Sequence, residues 1–152
     1  MPRASFGQRV AAFAIDLGII LVVELILSVA VGFVVFAISR AGSDTAAAVV
    51  GVVLGLVVFL LYEAIPILYF GYMEERPPGQ TFGKRSLGIR VVDFESAGSV
   101  PMGRAIGRSL VRTFLSGLFM LGYLWMLWDP EAQTWHDKLT DTTVVPVSAY
   151  PV

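Results

Sequence analysis

Cysteine is missing from the 152-residue chain, and histidine occurs once, at position 136. The missing cysteine excludes disulfides, thiolate metal sites and thiol catalysis. A single histidine excludes a histidine-rich metal site within one chain, and His136 alone does not make a credible Ser/His/Asp catalytic arrangement. We therefore expect neither an enzyme nor a resident metal or cofactor.

Charged residues are also scarce. They make up 15% of the chain, whereas ordinary soluble domains contain about 25%. The net charge of −1 gives no indication of a nucleic-acid partner. What the chain has in abundance is apolar residues, at 56%. This composition predicts a single membrane domain, residues 1–152, whose main partner is the lipid bilayer.

Two long apolar stretches predict transmembrane helices. They cover about residues 10–39 and 45–73, and each is long enough to cross a hydrocarbon core of about 30 Å. A short loop at 40–44 separates them, a polar segment covers 74–104, and a tail covers 129–152. The predicted fold class is an all-α membrane protein with two transmembrane helices.

A third stretch, residues 105–128, is shorter. Its uncharged part, Thr113–Trp128, would be only about 24 Å long as a helix. Arg104, Arg108 and Arg112 recur before or within it at spacing four, which places them on one face of a helix. The segment is a full span, a re-entrant hairpin or an amphipathic surface helix, and the sequence does not separate these alternatives.

Two β-branched runs predict a small sheet outside the membrane. They are Leu87–Phe94 and Thr142–Val147. Because an isolated strand leaves its backbone groups unpaired, we expect these two strands to pair with each other. Paired strands lie on one side of the membrane, so the pairing favours a re-entrant third segment over a simple three-span topology.

Basic residues predict the orientation. Only Arg40 lies between the two long apolar stretches, whereas the other basic residues near them precede the first or follow the second: Arg3, Arg9, Arg76, Lys84, Arg85, Arg90, Arg104, Arg108 and Arg112. The positive-inside rule then places the N-terminus and the polar segment in the cytoplasm. We expect Lys84, Arg85 and Arg90 to lie near anionic lipid headgroups.

Three carboxylates lie within the apolar stretches. Asp16 follows Arg9 by seven residues, so the two share a helix face. Asp16 and Glu63 lie about 10 and 13 Å deep from the same side, on helices that a short loop makes antiparallel neighbours. Glu24 lies deeper. A charge at such depth costs about 2.5–3.5 kcal/mol, so each needs a partner, water or a function.

Two interpretations of these charges remain open. In the functional one, Asp16 and Glu63 face each other and share a proton or a cation. In the structural one, Asp16 is held by Arg9, Arg108 or Arg112, and the cluster fixes helix packing. The same alternatives apply in the tail, where His136 and Asp137 form either a hydrogen-bonded anchor or a proton relay.

The glycine-rich run Gly79–Arg85 departs from the spacing of a phosphate-binding Walker A loop, and we interpret it as a turn. Together, Arg9 and Asp16, the stretch GQTFGKRSLGIRVV at 79–92 and QTWHDKL at 133–139 resemble the RDD family of small bacterial multi-pass membrane proteins. That family is named for one arginine and two aspartates. The resemblance implies that these are Arg9, Asp16 and Asp137, and that the chain lies in the bacterial cell membrane.

The resemblance also implies a role of undefined chemistry. Transport of unidentified ligands, or cation/proton antiport in some members, is what the family suggests. Two spans and a fragment do not enclose a pathway, so transport requires a homo-oligomer or a larger complex. The alternative is a non-catalytic accessory or assembly subunit, which the many glycines and alanines of the spans also suit.

Overall fold

The computed structural model describes residues 2–41, 44–116 and 120–150. It contains two long helices, α1 (Phe6–Ala41) and α2 (Asp44–Glu75). Their apolar parts have mean hydropathies of 2.9 and 2.5, and both are long enough to cross a membrane. The two predicted spans are therefore confirmed. The predicted loop falls partly on residues 42–43, which lie outside the described ranges.

Helix α1 begins four residues earlier than the apolar run predicts, because its start carries a capping box. The Ser5 hydroxyl accepts a hydrogen bond from the Gln8 N–H (3.2 Å), and the Gln8 side chain accepts one from the Ser5 N–H (3.0 Å). This reciprocal pair satisfies main-chain donors that a helix start leaves unpaired. The first turn is therefore helical even though it is polar.

The chain divides into two units. The apolar unit comprises residues 18–65, and the polar-cored unit comprises residues 1–17 and 66–152. In the apolar unit large side chains are exposed, as Leu25 at 63% and Phe33 at 70% illustrate. Such a surface suits lipid, which solvates apolar groups as well as a protein interior does.

The polar-cored unit contains the predicted sheet. Strands β1 (Ile89–Asp93) and β2 (Thr142–Pro146) pair antiparallel, with Val91 opposite Val144. The Ala4 N–H donates to the Val144 carbonyl (2.9 Å), which attaches the start of the chain to β2. The predicted pairing is confirmed, and it brings residues 4, 89–93 and 142–146 to one place.

The third segment is bent. Helix α4 (Met102–Val111) continues as a wider helical turn through Ser116, and a short helix, α5 (Leu121–Leu124), follows. The axes of residues 102–116 and 121–127 differ by 114°, while residues 117–119 lie outside the described ranges. A Cβ on Gly122 would lie 2.5 Å from the Ser116 Cα, so only glycine permits this approach. The bend and the paired strands favour a re-entrant segment over a single crossing.

Two short helices complete the polar-cored unit. They are α3 (Phe82–Ser86), capped by Thr81, and α6 (Trp135–Lys138), capped by Thr134. Helix α3 lies between α2 and β1 in the chain, α6 lies between α5 and β2, and both carry side chains of the candidate site. Neither was anticipated, because a helix of four or five residues is too short to show a hydrophobic period.

Candidate functional site

Six ionisable side chains form a buried charge cluster in the polar-cored unit. They are Arg9, Glu74, Lys84, Arg108, Arg112 and Asp137. Arg108 is its centre and is 1% exposed. Its Nε donates to Glu74 (2.8 Å), and its Nη1 contacts both Asp137 and the Thr142 hydroxyl. One guanidinium therefore connects helix α2 with α6 and strand β2.

Glu74 is the acidic partner of three cations. Its carboxylate accepts from Lys84 Nζ (2.6 Å), Arg108 Nε (2.8 Å) and Arg112 Nη2 (2.7 Å). Sequence reasoning missed Glu74, because a glutamate at the end of an apolar run reads as an interfacial charge. The arginine spacing on α4 is the signal by which Glu74 could have been found, because a buried arginine face requires an acidic partner.

The arginine face of α4 divides between two partners. Arg108 and Arg112 are buried with Glu74, whereas Arg104 is partly exposed and bonds Asp93 (2.5 Å). Two hydrogen bonds from Ser96 and the bond from Arg104 lower the pKa of Asp93 to about 2. The predicted single arginine face is therefore confirmed in geometry, and its members lie in different environments.

Asp137 connects the cluster to the start of the chain. Arg9 Nη1 donates to its carboxylate (2.6 Å), and Thr134 and Asp137 form a capping box at the start of α6. Burial alone raises the pKa of Asp137, but Arg108 and Arg9 outweigh burial and hold that pKa well below its usual value. Asp137 is therefore ionised at neutral pH and is a poor proton carrier.

His136 lies beside the charge cluster but forms no ion pair with it in the described ranges. Its Nδ1 hydrogen-bonds the Ser116 hydroxyl (3.0 Å), so the expected His136–Asp137 bond is replaced by a bond to the third segment. Burial, together with the nearby Arg108, lowers the pKa of His136 well below its usual value. The imidazole is therefore neutral at physiological pH.

Asp16 is held apart from the charge cluster by uncharged donors. Its carboxylate accepts hydrogen bonds from the Tyr69 hydroxyl (2.7 Å), the Thr81 hydroxyl (2.6 Å) and the Gly83 N–H (2.8 Å), and the residue is 0% exposed. The expectation that Arg9, Arg108 or Arg112 holds Asp16 is wrong. Those arginines pair with Asp137 and Glu74 instead.

The glycine-rich run is the surface that docks against Asp16. A Cβ on Gly83 would lie 2.0 Å from the Ala12 carbonyl oxygen, so only glycine lets α3 approach α1 this closely. Gly79 has a positive φ of 77° and lies against the Val91 carbonyl. The predicted turn is correct only at Gly79, because Phe82–Arg85 belong to helix α3. The run brings Thr81 and Lys84 to their partners.

Lys84 differs from the predicted headgroup contact. It is 7% exposed and its ammonium pairs with Glu74, so it does not face lipid headgroups. Burial lowers the pKa of Lys84 to about 8, although Glu74 opposes the change. Arg85, by contrast, is exposed, and its contact with anionic lipid stays a prediction.

Glu24 and Glu63 belong to the apolar unit, whereas Asp16 belongs to the polar-cored unit. Within the apolar unit, the Ser28 and Tyr62 hydroxyls contact each other, and both reach the main-chain carbonyl of Glu24 (2.7 and 3.3 Å). The hydroxyl of Tyr62 is thus engaged by Ser28 and by the Glu24 carbonyl. The proposed facing of Asp16 and Glu63 stays a prediction.

A cavity of about 260 Å³ lies beside the charge cluster. Four basic side chains line it, Arg9, Lys84, Arg108 and Arg112, together with Asp16 and His136. The rest of its lining is almost entirely apolar and includes Phe13 and Phe70. In the described ranges, no three His, Asp or Glu side chains are grouped as a metal site. The site therefore offers cations and apolar walls.

A model described as the RDD family matches residues 3–141. The chain belongs to the RDD family. It is 30% identical over 95 residues to the uncharacterized membrane protein YteJ of Bacillus subtilis strain 168, covering 62% of this chain and 52% of YteJ. It is 31% identical over 86 residues to the uncharacterized protein YxaI of the same organism, covering 57% and 56%.

The RDD chain spans about half the length of the curated relatives it matches. No solved structure matches it. The family and the apolar helices establish a membrane protein, while the names of the relatives carry no activity. The chemistry of this RDD protein therefore has to be argued from its own residues. Of the three residues assigned from the family name, Arg9 and Asp137 form an ion pair, and Asp16 docks the glycine-rich turn.

Proposed function

We propose that this RDD protein binds a small anionic ligand in the cavity beside its charge cluster, as part of ligand transport. The observation that carries the proposal is the charge balance around that cavity. Four cations, Arg9, Lys84, Arg108 and Arg112, line the cavity, whereas the nearby carboxylates are three, Glu74, Asp137 and Asp16, which leaves one net positive charge. A buried net positive charge attracts an anion and repels a cation.

The hydrogen bonding of the arginines supports the same ligand. Arg112 is 5% exposed, and its Nη1 has no hydrogen-bond partner within the described ranges. The Nε of Arg9 likewise has no hydrogen-bond partner within the described ranges. A buried donor without an acceptor costs about 1–3 kcal/mol, more for a charged group, and an anionic ligand supplies the acceptor.

Cation/proton exchange has less support from the same contacts. Asp137 is held ionised by Arg108 and Arg9. A proton carrier needs a carboxylate whose two protonation states are close in free energy. Asp137 strongly favours its ionised state and does not meet this requirement.

The test compares two probes of the same shape and opposite charge. Purified protein in a neutral maltoside detergent is titrated with 4-(trifluoromethyl)benzoate and with 4-(trifluoromethyl)benzylammonium at pH 7, and binding is followed by fluorine NMR. We expect the anion to bind at least tenfold more tightly. Arg112→Gln should remove this difference in affinity between the two probes. Arg104 shares the helix face but does not line the cavity, so Arg104→Gln should keep the difference. Equal binding of the two probes would overturn the proposal.

A flux measurement addresses the alternative of ion exchange. Proteoliposomes containing a pH-sensitive dye receive an inward Na⁺ or K⁺ gradient, and the internal pH is recorded. We expect no proton movement above that of empty liposomes. Proton flux that is lost in Asp16→Asn but retained in Arg104→Gln would favour exchange instead.

An accessory role is the second candidate, and a groove in the apolar unit favours it. Ser28, Gly32, Gly51 and Gly55 line this groove, and small residues allow another helix to approach closely. A stable stoichiometric membrane partner should then copurify in mild detergent and be lost in Gly55→Leu. A clean homo-oligomer that persists in Gly55→Leu would contradict this role. Homo-oligomerisation itself stays a prediction.

We also propose that the N-terminus and the sheet face the cytoplasm of a bacterial cell, because the basic residues concentrate there. The chain has no cysteine, so single-cysteine variants report cleanly. Ser148→Cys should react with an impermeant maleimide only from the cytoplasmic side, and Thr45→Cys only from outside. The reverse pattern would invert the topology.

A further inference from the structure

The cavity beside the charge cluster is polar at its buried end and apolar at its exposed rim. The buried end carries Arg108 and Arg112, which are 1% and 5% exposed. The rim carries Val10 and Met120, which are 47% and 55% exposed. A pocket that takes ligands from water has the opposite arrangement, with polar groups where solvent enters. An apolar rim indicates that the mouth opens towards lipid.

The walls between these two ends are suited to hydrocarbon. Phe13 and Phe70 stack with ring centroids 6.4 Å apart, and Phe13 also contacts Tyr123 at 5.3 Å. All three residues line the cavity. A small hydrated anion would leave these apolar faces without a contact, whereas an acyl chain would cover them.

The volume limits the size of the occupant. At about 260 Å³, the cavity lies just below the range of roughly 300–1,000 Å³ that drug-sized ligands occupy. It accommodates one head group with the first part of one chain. A two-chain phospholipid exceeds it, because its second chain would find no wall to lie against.

We propose that the cavity binds a single-chain anionic amphiphile, with its carboxylate or phosphate head at Arg9 and Arg112 and its chain leaving past Val10 and Met120. This inference rests on the proposed anion site and names the ligand class. Both arginines line the cavity, and the Nη1 of Arg112 and the Nε of Arg9 are buried nitrogens without a hydrogen-bond partner in the described ranges. The ion pairs of Arg112 with Glu74 and of Arg9 with Asp137 keep both guanidinium groups in place.

The test is photo-crosslinking in the intact protein. The full chain in phosphatidylcholine nanodiscs is irradiated with a palmitate that carries a diazirine in mid-chain, and the labelled peptides are mapped by mass spectrometry. We expect labels on the peptides that contain Val10 and Met120. Val10→Trp, which fills the rim, should reduce labelling at least tenfold. Ile15→Trp, a half-exposed position on the same helix outside the cavity, should not.

Competition distinguishes the possible ligands. Unlabelled tetradecanoate and a single-chain lysophosphatidate are compared with acetate, inorganic phosphate and dodecyltrimethylammonium. Displacement by either or both single-chain anions, and not by the short or cationic compounds, supports the inference, and their relative potency identifies a carboxylate or phosphate head. Equal displacement by acetate or phosphate would overturn the inference that the ligand carries an acyl chain, and it would leave the proposed anion site intact. Displacement by the cationic amphiphile, or by none of the compounds, would overturn both. Labelling that persists in Val10→Trp would place the ligand elsewhere.

Discussion

The two units of this RDD protein are stabilised by different interactions. In the apolar unit, large hydrophobic side chains face outwards, and Phe33 and Leu60 are 70% and 64% exposed. In the polar-cored unit, the fully buried side chains include Arg108, Glu74 and Asp16. One unit therefore exposes what a soluble protein buries, and the other buries what a soluble protein exposes.

This contrast follows from the solvent of each part. Lipid solvates leucine as well as a protein interior does, so apolar contacts contribute little specificity to the apolar unit. In the polar-cored unit, hydrogen bonds and ion pairs of fixed geometry add to a small apolar core that includes Ile89, Val91 and Val144. The polar-cored unit is accordingly the part in which single substitutions should have large effects, and the predictions below test that difference.

The largest expected effect is that of Arg108→Met. The substitution leaves the buried carboxylates of Glu74 and Asp137 without their shared cation, which costs about 3–5 kcal/mol. The matched control is Arg104→Met, one turn earlier on α4, whose exposed bond to Asp93 is worth about 1 kcal/mol or less. Unfolding in mixed micelles of maltoside and dodecyl sulfate, followed by circular dichroism, measures both. Equal effects of the two variants would refute the central role of Arg108.

Gly83→Ala should come next. The added Cβ would lie 2.0 Å from the Ala12 carbonyl oxygen, so α3 has to move away from α1, at a cost of about 3 kcal/mol. Gly51→Ala in the apolar unit is the counterpart, since a Cβ there meets nothing within 4 Å. Alanine favours a helix over glycine by about 1 kcal/mol, so Gly51→Ala should be neutral or stabilising. The same micelle unfolding assay applies, and a tolerated Gly83→Ala would exclude the close docking.

Asp16→Asn and Glu63→Gln compare a fully buried carboxylate of the polar-cored unit with a half-buried one of the apolar unit. Asp16→Asn weakens three hydrogen bonds to a buried charge and should cost about 1.5–3 kcal/mol. Glu63→Gln, at a half-buried position of the apolar unit, should change the free energy of unfolding by less than about 0.5 kcal/mol. If both variants lose stability together and a double variant loses no more, the two carboxylates are coupled, and the proton-sharing interpretation gains support.

The smallest effect concerns pH. Burial lowers the pKa of Lys84 to about 8, so the ammonium is charged at pH 7 and mostly neutral at pH 9. Losing that charge should weaken binding of 4-(trifluoromethyl)benzoate about tenfold, as expected for a unit charge roughly 10 Å away at an effective dielectric of about 20. Lys84→Arg stays charged and should show no such loss. Fluorine NMR titrations of the wild type and of Lys84→Arg at pH 7 and pH 9 measure this loss of affinity. An identical loss in both proteins would assign the effect to another group.

The features predicted from sequence are those that local pattern encodes. Hydropathy alone identifies α1 and α2, and β-branched runs identify β1 and β2. Helix α1 extends four residues before the predicted span, and Ser5 and Gln8 form a recognisable capping box there. Periodicity of apolar residues says nothing about a polar first turn, so the cap has to be read separately.

The features that were missed depend on contacts between distant residues. The ligands of Asp16 are two hydroxyls and a main-chain N–H, which form no charge pattern in the sequence. Glu74 gathers cations from positions 84, 108 and 112, and only the arginine spacing indicates that an acid is needed. Charge complementarity alone suggests an arginine as the partner of a buried aspartate. For Asp16, neutral hydrogen-bond donors take that place.

The ion pair between Arg9 and Asp137 joins residues 128 positions apart. During synthesis, at about 5–20 residues per second, Arg9 waits roughly 6–26 seconds before its partner is made. A chain that ends before residue 137 therefore lacks the carboxylate that pairs with Arg9 near the start of α1.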